Sequence, residues 1–86
     1  MNGTLRYWAA AREAAGTPEE PYAEATLADA LAVAVERHGG PEGRLARVLA
    51  RCAFVVDGDP ASRRDPASVA LREGGTIEVL PPFAGG

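Results

Sequence analysis

Leu5 and Tyr7 alternate with Thr4, Arg6 and Trp8, and this period of two predicts a first strand over residues 4–8. If Leu5 and Tyr7 face a core, Trp8 faces the other way; a register shifted by one would instead make Trp8 a core aromatic. Ala9–Ala15 is rich in alanine and predicts a turn or two of helix that Gly16 ends. Pro18 and Pro21 flank a polar stretch, and residues 22–25 can supply a short second strand at a sheet edge, where proline is tolerated. From Thr26 the period lengthens. Leu27, Ala30, Leu31, Ala34, Val35 and His38 share one helical face, Thr26 can cap the N-terminus, Asp29 sits at the capping-box position, and Gly39 follows the last turn. That face is expected to cover a sheet.

A second helical segment is predicted over residues 42–51, with Leu45, Val48 and Leu49 on one side and Arg44, Arg47 and Arg51 on the other. Residues 52–56 (CAFVV) read as an apolar strand ending at the turn signal Asp57-Gly58, with Phe54 and Val56 inward and Val55 on the opposite face. Residues 59–68 leave room for a short peripheral strand, and residues 69–71 for a further turn or strand. Gly74-Gly75 turn the chain into a last strand, Thr76–Leu80, with Ile77 and Val79 on one face and Thr76, Glu78 and Leu80 on the other. Pro81 and Pro82 lack amide hydrogens and stop it. This order predicts an α+β fold, a mixed sheet with one main helix across one face and the first and last strands parallel in its middle. Trp8 and Leu80 then lie together on the face the helix leaves uncovered.

Composition narrows the function classes. Eighty-six residues suit one domain, residues 1–86, and no stretch is long and apolar enough to span a bilayer. The N-terminal MNGTLRYW has no charged segment followed by an apolar run, so a cytoplasmic protein is expected, with no membrane partner. The net charge is -3, which makes nucleic acid a poor partner. All nine basic residues are arginines, so the chain offers no lysine for an isopeptide bond. A single cysteine excludes an internal disulfide, and Cys52 with His38 is too few ligands for a structural zinc site. Ser62 and Ser68 lack a visible base, Arg63-Arg64-Asp65 reads as a polar turn, His38 as a helix cap or partly buried contact, and Cys52 as a small core residue. The arginine stripe reads first as a solvated helix face, although it could meet an acidic partner surface.

The end of the sequence carries the strongest signal. Residues 81–86 (PPFAGG) read as a tail of about 20 Å when extended at about 3.3 Å per residue, stiffened by Pro81-Pro82, with one aromatic, Phe83, and two residues without side chains, Gly85 and Gly86. Such a tail can enter a narrow site and present the Gly86 carboxylate. This end, together with YWAAAREAAG after the first strand, TLADAL at the helix start and LREGGTIEVLPP before the tail, resembles the small sulfur-carrier subunit of molybdopterin synthase, in the MoaD/ThiS family. Thiamine-pathway carriers of that family tend to be shorter and to lack the proline pair. One departure is Gly74-Gly75 where the family usually has Gly-Asp, which removes a carboxylate and is expected to loosen that turn.

The resemblance implies a ubiquitin-like β-grasp fold and a subunit that is not itself an enzyme, binding no cofactor. It implies three partners. A ubiquitin-activating-like adenylyltransferase uses ATP to join Gly86 to AMP, a persulfide protein supplies sulfur that makes Gly86 a thiocarboxylate, and the synthase large subunit takes the tail and delivers sulfur to cyclic pyranopterin monophosphate. Gly85 would serve threading of the tail. Trp8, Arg12, Val55, Leu80, Pro81, Pro82 and Phe83 are the expected partner interface, with Arg12 matching the family's arginine after the first strand. Two other readings stay open: a sulfur carrier for another pathway, such as thiamine or cysteine, and a ubiquitin-like modifier conjugated through Gly86.

Overall fold

Leu5, Tyr7, Ile77 and Val79 are all at most 2% exposed, so the alternation in the first and last strands survives in three dimensions. In the computed structural model, which describes residues 1–82, the chain runs β1 (Gly3–Tyr7), α1 (Ala9–Ala15), β2 (Glu19–Tyr22), α2 (Leu27–Arg37), α3 (Arg44–Leu49), β3 (Ala53–Val56), β4 (Asp59–Pro60), a 3-10 turn (Pro66–Ser68) and β5 (Thr76–Leu80). The strands form one sheet in the order β2-β1-β5-β3-β4. β5, at its centre, pairs in parallel with β1 and antiparallel with β3, and the edge strands pair antiparallel with their neighbours. Leu27, Ala30 and Ala34 of α2 pack with Leu5, Tyr7, Val56, Ile77 and Val79 in one core, which puts the main helix across one face of a mixed sheet. The Thr26 hydroxyl accepts the Asp29 amide at 3.2 Å and starts α2 as its sequence predicts.

Several boundaries move, each for a physical reason. β1 ends at Tyr7, because Trp8 becomes the N-cap of α1 and its carbonyl accepts the amides of Ala11 and Arg12. β2 covers Glu19–Tyr22 rather than residues 22–25. Glu20 pairs with Leu5 and so shares its inward face, whereas Pro21 pairs with Thr4, and this disguises the alternation. Tyr22 is the strand's buried last residue, donating its phenol to the Arg72 carbonyl at 2.9 Å. α3 starts at Arg44 because the chain crosses His38 tightly at Gly43, where a Cβ would stand 2.7 Å from the His38 carbonyl oxygen. β3 starts at Ala53, since the Cys52 amide still donates to Leu49.

Two turns aim the central strand. Asp57 and Gly58 both have positive φ, 51° and 85°, which makes the tight hairpin between β3 and β4. Asp57 then reaches across, its Oδ1 accepting the Thr76 amide at 2.8 Å. A Cβ on Gly75 would stand 2.5 Å from that oxygen and 2.7 Å from the Tyr22 hydroxyl. The Gly-Gly turn is therefore closed by Asp57 rather than loosened.

Candidate functional site

The parallel pairing of β1 with β5 delivers both chain segments to the same end of the sheet. Tyr7 pairs with Val79, so the next residues outward are Trp8 on one strand and Leu80-Pro81 on the other. The Trp8 amide donates to the Val79 carbonyl at 3.2 Å and fixes that juxtaposition. Trp8 is 45% exposed, and it and Met1 are the exposed large hydrophobics among the described residues. The exposed reading of Trp8 holds and the core reading does not. Its indole, Ala9, Ala53, Leu80, Pro81 and Pro82 line an apolar groove of about 640 Å³, and Arg51 closes one side. Ala9 holds a left-handed φ of 47° at the mouth of this groove, a conformation that costs a residue with a Cβ about 1–2 kcal/mol. The Arg6 guanidinium lies 6.0 Å from the indole ring centroid, within cation–π range.

The other sequence-predicted interface residues separate. Val55 pairs with Glu78, two positions along from the Ala53–Leu80 pair, and does not line the groove. Arg12 is exposed and lines a smaller cleft with Arg6, Tyr7, Trp8 and Pro18, and it is in no ion pair among the described residues. Phe83, Gly85 and Gly86 lie outside the described residues.

Sequence reasoning missed two features. The first is the place of the arginine stripe. Arg44, Arg47 and Arg51 are all exposed and border a second groove, of about 670 Å³, whose other walls include Ala10, Val48, Pro81 and Pro82. The stripe therefore flanks the root of the tail, a position that spacing along α3 alone could not reveal. The second is a polar cluster under the edge of the sheet. The Tyr7 phenol donates to Glu20, and the Glu20 carboxylate also lies 2.7 Å from His38 Nε2 and 3.4 Å from Arg37 Nη1. Burial alone would raise the Glu20 carboxyl, but hydrogen bonds from Tyr7 and His38 and the nearby cations bring it below its ordinary value. Burial, helped by the Glu20 hydrogen bond, raises the Tyr7 phenol well above its usual range. Its groups bond to one another across three elements, and it reads as a structural clasp between β1, β2 and the end of α2.

The remaining candidates are structural. The Cys52 thiol, pushed up to about 11 by burial, donates to the Val48 carbonyl at 3.2 Å and is a poor nucleophile. The Ser62 hydroxyl accepts the Phe54 amide, and the Ser68 hydroxyl donates to Asp65. Among the described residues no group of His, Cys, Asp and Glu is placed to hold a metal, and no helix is long and apolar enough to cross a membrane.

The model of the ThiS family matches residues 5–86. No curated protein matches the sequence. Among solved structures, small archaeal modifier protein 1 from Methanosarcina acetivorans superposes with a TM-score of 0.81 at 22% identity, covering 99% of this chain and 96% of its own. A putative molybdopterin converting factor subunit 1 from Pyrococcus furiosus superposes at 0.72 with 20% identity, covering 96% and 99%. A chain in the complex of subunits 1 and 2 of the molybdopterin-converting factor from Helicobacter pylori superposes at 0.67 with 20% identity over 100% of both. These likenesses define a ubiquitin-like β-grasp fold.

Proposed function

This chain belongs to the ThiS family of small ubiquitin-like carrier and modifier proteins, and on that premise we propose that it is the sulfur-carrier subunit of a molybdopterin synthase. The observation that carries the proposal is the groove of Trp8, Leu80, Pro81 and Pro82 at the point where β5 gives way to the tail. An apolar surface at the root of a segment whose sequence is poor in side chains is what a partner needs if it is to hold the domain while that segment enters its active site. The Helicobacter pylori structure with the same fold is a complex of two converting-factor subunits, which supports a large subunit as that partner.

A carboxylate is a poor electrophile, so Gly86 is first joined to AMP by an activating adenylyltransferase, with release of pyrophosphate from ATP. A persulfide sulfur displaces AMP, and a thiol then cleaves the sulfur–sulfur bond, leaving a thiocarboxylate on Gly86 and a disulfide on the donor. The soft sulfur is the nucleophile delivered to cyclic pyranopterin monophosphate. The chain itself binds no ATP and supplies no acid or base. On this reading Phe83 is a further apolar anchor for the partner, and Gly85, having no side chain, serves threading.

Reconstitution of the thiocarboxylated protein with a molybdopterin synthase large subunit and the pyranopterin precursor is expected to give the dithiolene product. Absence of product with a large subunit that works with another carrier would overturn the reading. The fold equally fits a ubiquitin-like modifier, as the archaeal modifier protein of this fold illustrates, and a carrier for another sulfur acceptor. Intact mass of protein made in its host separates these: sulfur in place of oxygen at Gly86 supports a carrier, and covalent adducts with other proteins support a modifier.

A further inference from the structure

We propose that the left-handed corner at Ala9 is a positioning device for docking: strain held in the folded chain keeps the Trp8 indole out over the groove of Leu80, Pro81 and Pro82, so that a partner's apolar surface meets it already ordered. Ala9 is then a positioning residue that acts through Trp8. The inference rests on the carrier reading above, with the synthase large subunit as the partner that docks.

β1 ends at Tyr7 and α1 begins at Ala9, so Trp8 alone joins strand to helix. Trp8 is itself extended, with φ -119° and ψ 151°, and the change of direction falls on Ala9 at φ 47°. Both sides of this corner are tied. Before it, the Tyr7 amide donates to the Pro18 carbonyl at 2.8 Å and the Trp8 amide to the Val79 carbonyl at 3.2 Å. Beyond it, the Ala11 amide donates to the Trp8 carbonyl at 3.0 Å, and buried Ala11 and Ala15 fix α1 in the core. An unfavourable φ persists where its surroundings over-determine it. Glycine would adopt the same φ without a Cβ clash, but it would adopt many others as readily. Alanine confines the corner to one narrow well.

The corner sets the direction of the indole. An exposed aromatic turns among several rotamers unless something restrains it, and ordering it on binding weakens association. Here the Arg6 guanidinium stands 6.0 Å from the ring centroid and is itself held by Glu19 at 3.6 Å, while Leu80, Pro81 and Pro82 line the groove beside the ring. A relaxed Ala9 would release the Trp8 carbonyl from Ala11 and let Trp8 turn away from Val79, and the indole with it. The place of the strain is what points to docking. Among the described residues the other non-glycine position with positive φ is Asp57, an aspartate in a hairpin turn, where that region is tolerated. Ala9 has no such side chain, and it lies beside the exposed tryptophan.

The chain has one tryptophan, so its fluorescence reports the corner directly. In the free full chain, Ala9→Gly is expected to melt no lower than wild type while its indole depolarises faster on the nanosecond scale. In calorimetric titration the same variant is expected to bind a molybdopterin synthase large subunit about fivefold more weakly. D-alanine in place of Ala9, introduced by chemical synthesis, favours positive φ and, like glycine, removes the methyl from its present place. It is expected to raise the melting temperature by about 5 °C, to keep the slow depolarisation, and to bind within about twofold of wild type. Equal affinity for Ala9→Gly and wild type would overturn the inference, as would an unchanged anisotropy decay. A melting temperature lowered in both variants would show that Ala9 is unstrained, and would overturn it too. Binding weakened as much by D-alanine as by glycine would make the Ala9 methyl a direct contact instead, again overturning it. Absence of binding by the wild-type chain, with a large subunit that works with another carrier, would instead overturn the subunit reading and the docking role with it.

Discussion

Glu20 is the residue where burial and hydrogen bonding oppose each other most directly. The bonds win, and its carboxyl stays below its ordinary value. A carboxyl held low in the folded state stabilises the fold above its unfolded pKa, and that contribution disappears as pH falls through the folded value. Glu20→Gln is therefore expected to cost about 1–2 kcal/mol at neutral pH, with the gap to wild type closing as pH drops below about 4.5. Urea unfolding across pH 3–7 would show it, and parallel curves at all pH values would count against the clasp. Gly75 makes a second local claim. A side chain there collides with Asp57 and the Tyr22 hydroxyl, so Gly75→Ala is expected to lower stability by about 1–3 kcal/mol in thermal unfolding. Gly75→Asp, which restores the acid usual in the resembled family, is expected to cost at least as much, because it sets a second carboxylate against Asp57. Asp57 already does for the Thr76 amide what a turn acid would do.

The elements explain what pattern could and could not disclose. Trp8 caps α1 with its backbone while its indole stays exposed, so Trp8→Ala is expected to change stability by less than about 1 kcal/mol and to weaken association with the large subunit about tenfold or more. Calorimetric titration beside a melting curve separates the two effects, and a variant that melts early but binds normally would contradict the assignment. α1, α2 and β5 were legible because alanine content, the Thr26 cap and strict alternation all pointed one way. β2 was not, because a glutamate occupies its inward face and a proline its outer face, and Tyr7, Arg37 and His38, distant in sequence, make that arrangement acceptable. The groove was half legible. Alternation put Trp8 and Leu80 on one face, but the approach of α3 to Pro81 and Pro82, which brings in Arg51, depends on a loop closure that no local period encodes.

For the whole molecule, the parallel β1–β5 pair gathers the candidate site at one end: groove, stripe and tail root all lie where β5 stops. Because the chemistry is assigned to the last residue and the docking to the folded part, Gly86→Ala is expected to abolish thiocarboxylate formation while leaving affinity for the large subunit within about threefold. Mass spectrometry and binding on the same sample would test both halves, and loss of binding alone would contradict the division. The rim of the sheet has a further consequence. Its two outer strands, β2 and β4, each contain a proline, Pro21 and Pro60, and β4 is only two residues long. An open sheet ordinarily offers its border as a template for another chain to add a strand, with aggregation as the common result. Here each border strand lacks an amide donor at one position, so two copies of the domain have little purchase on one another along either edge.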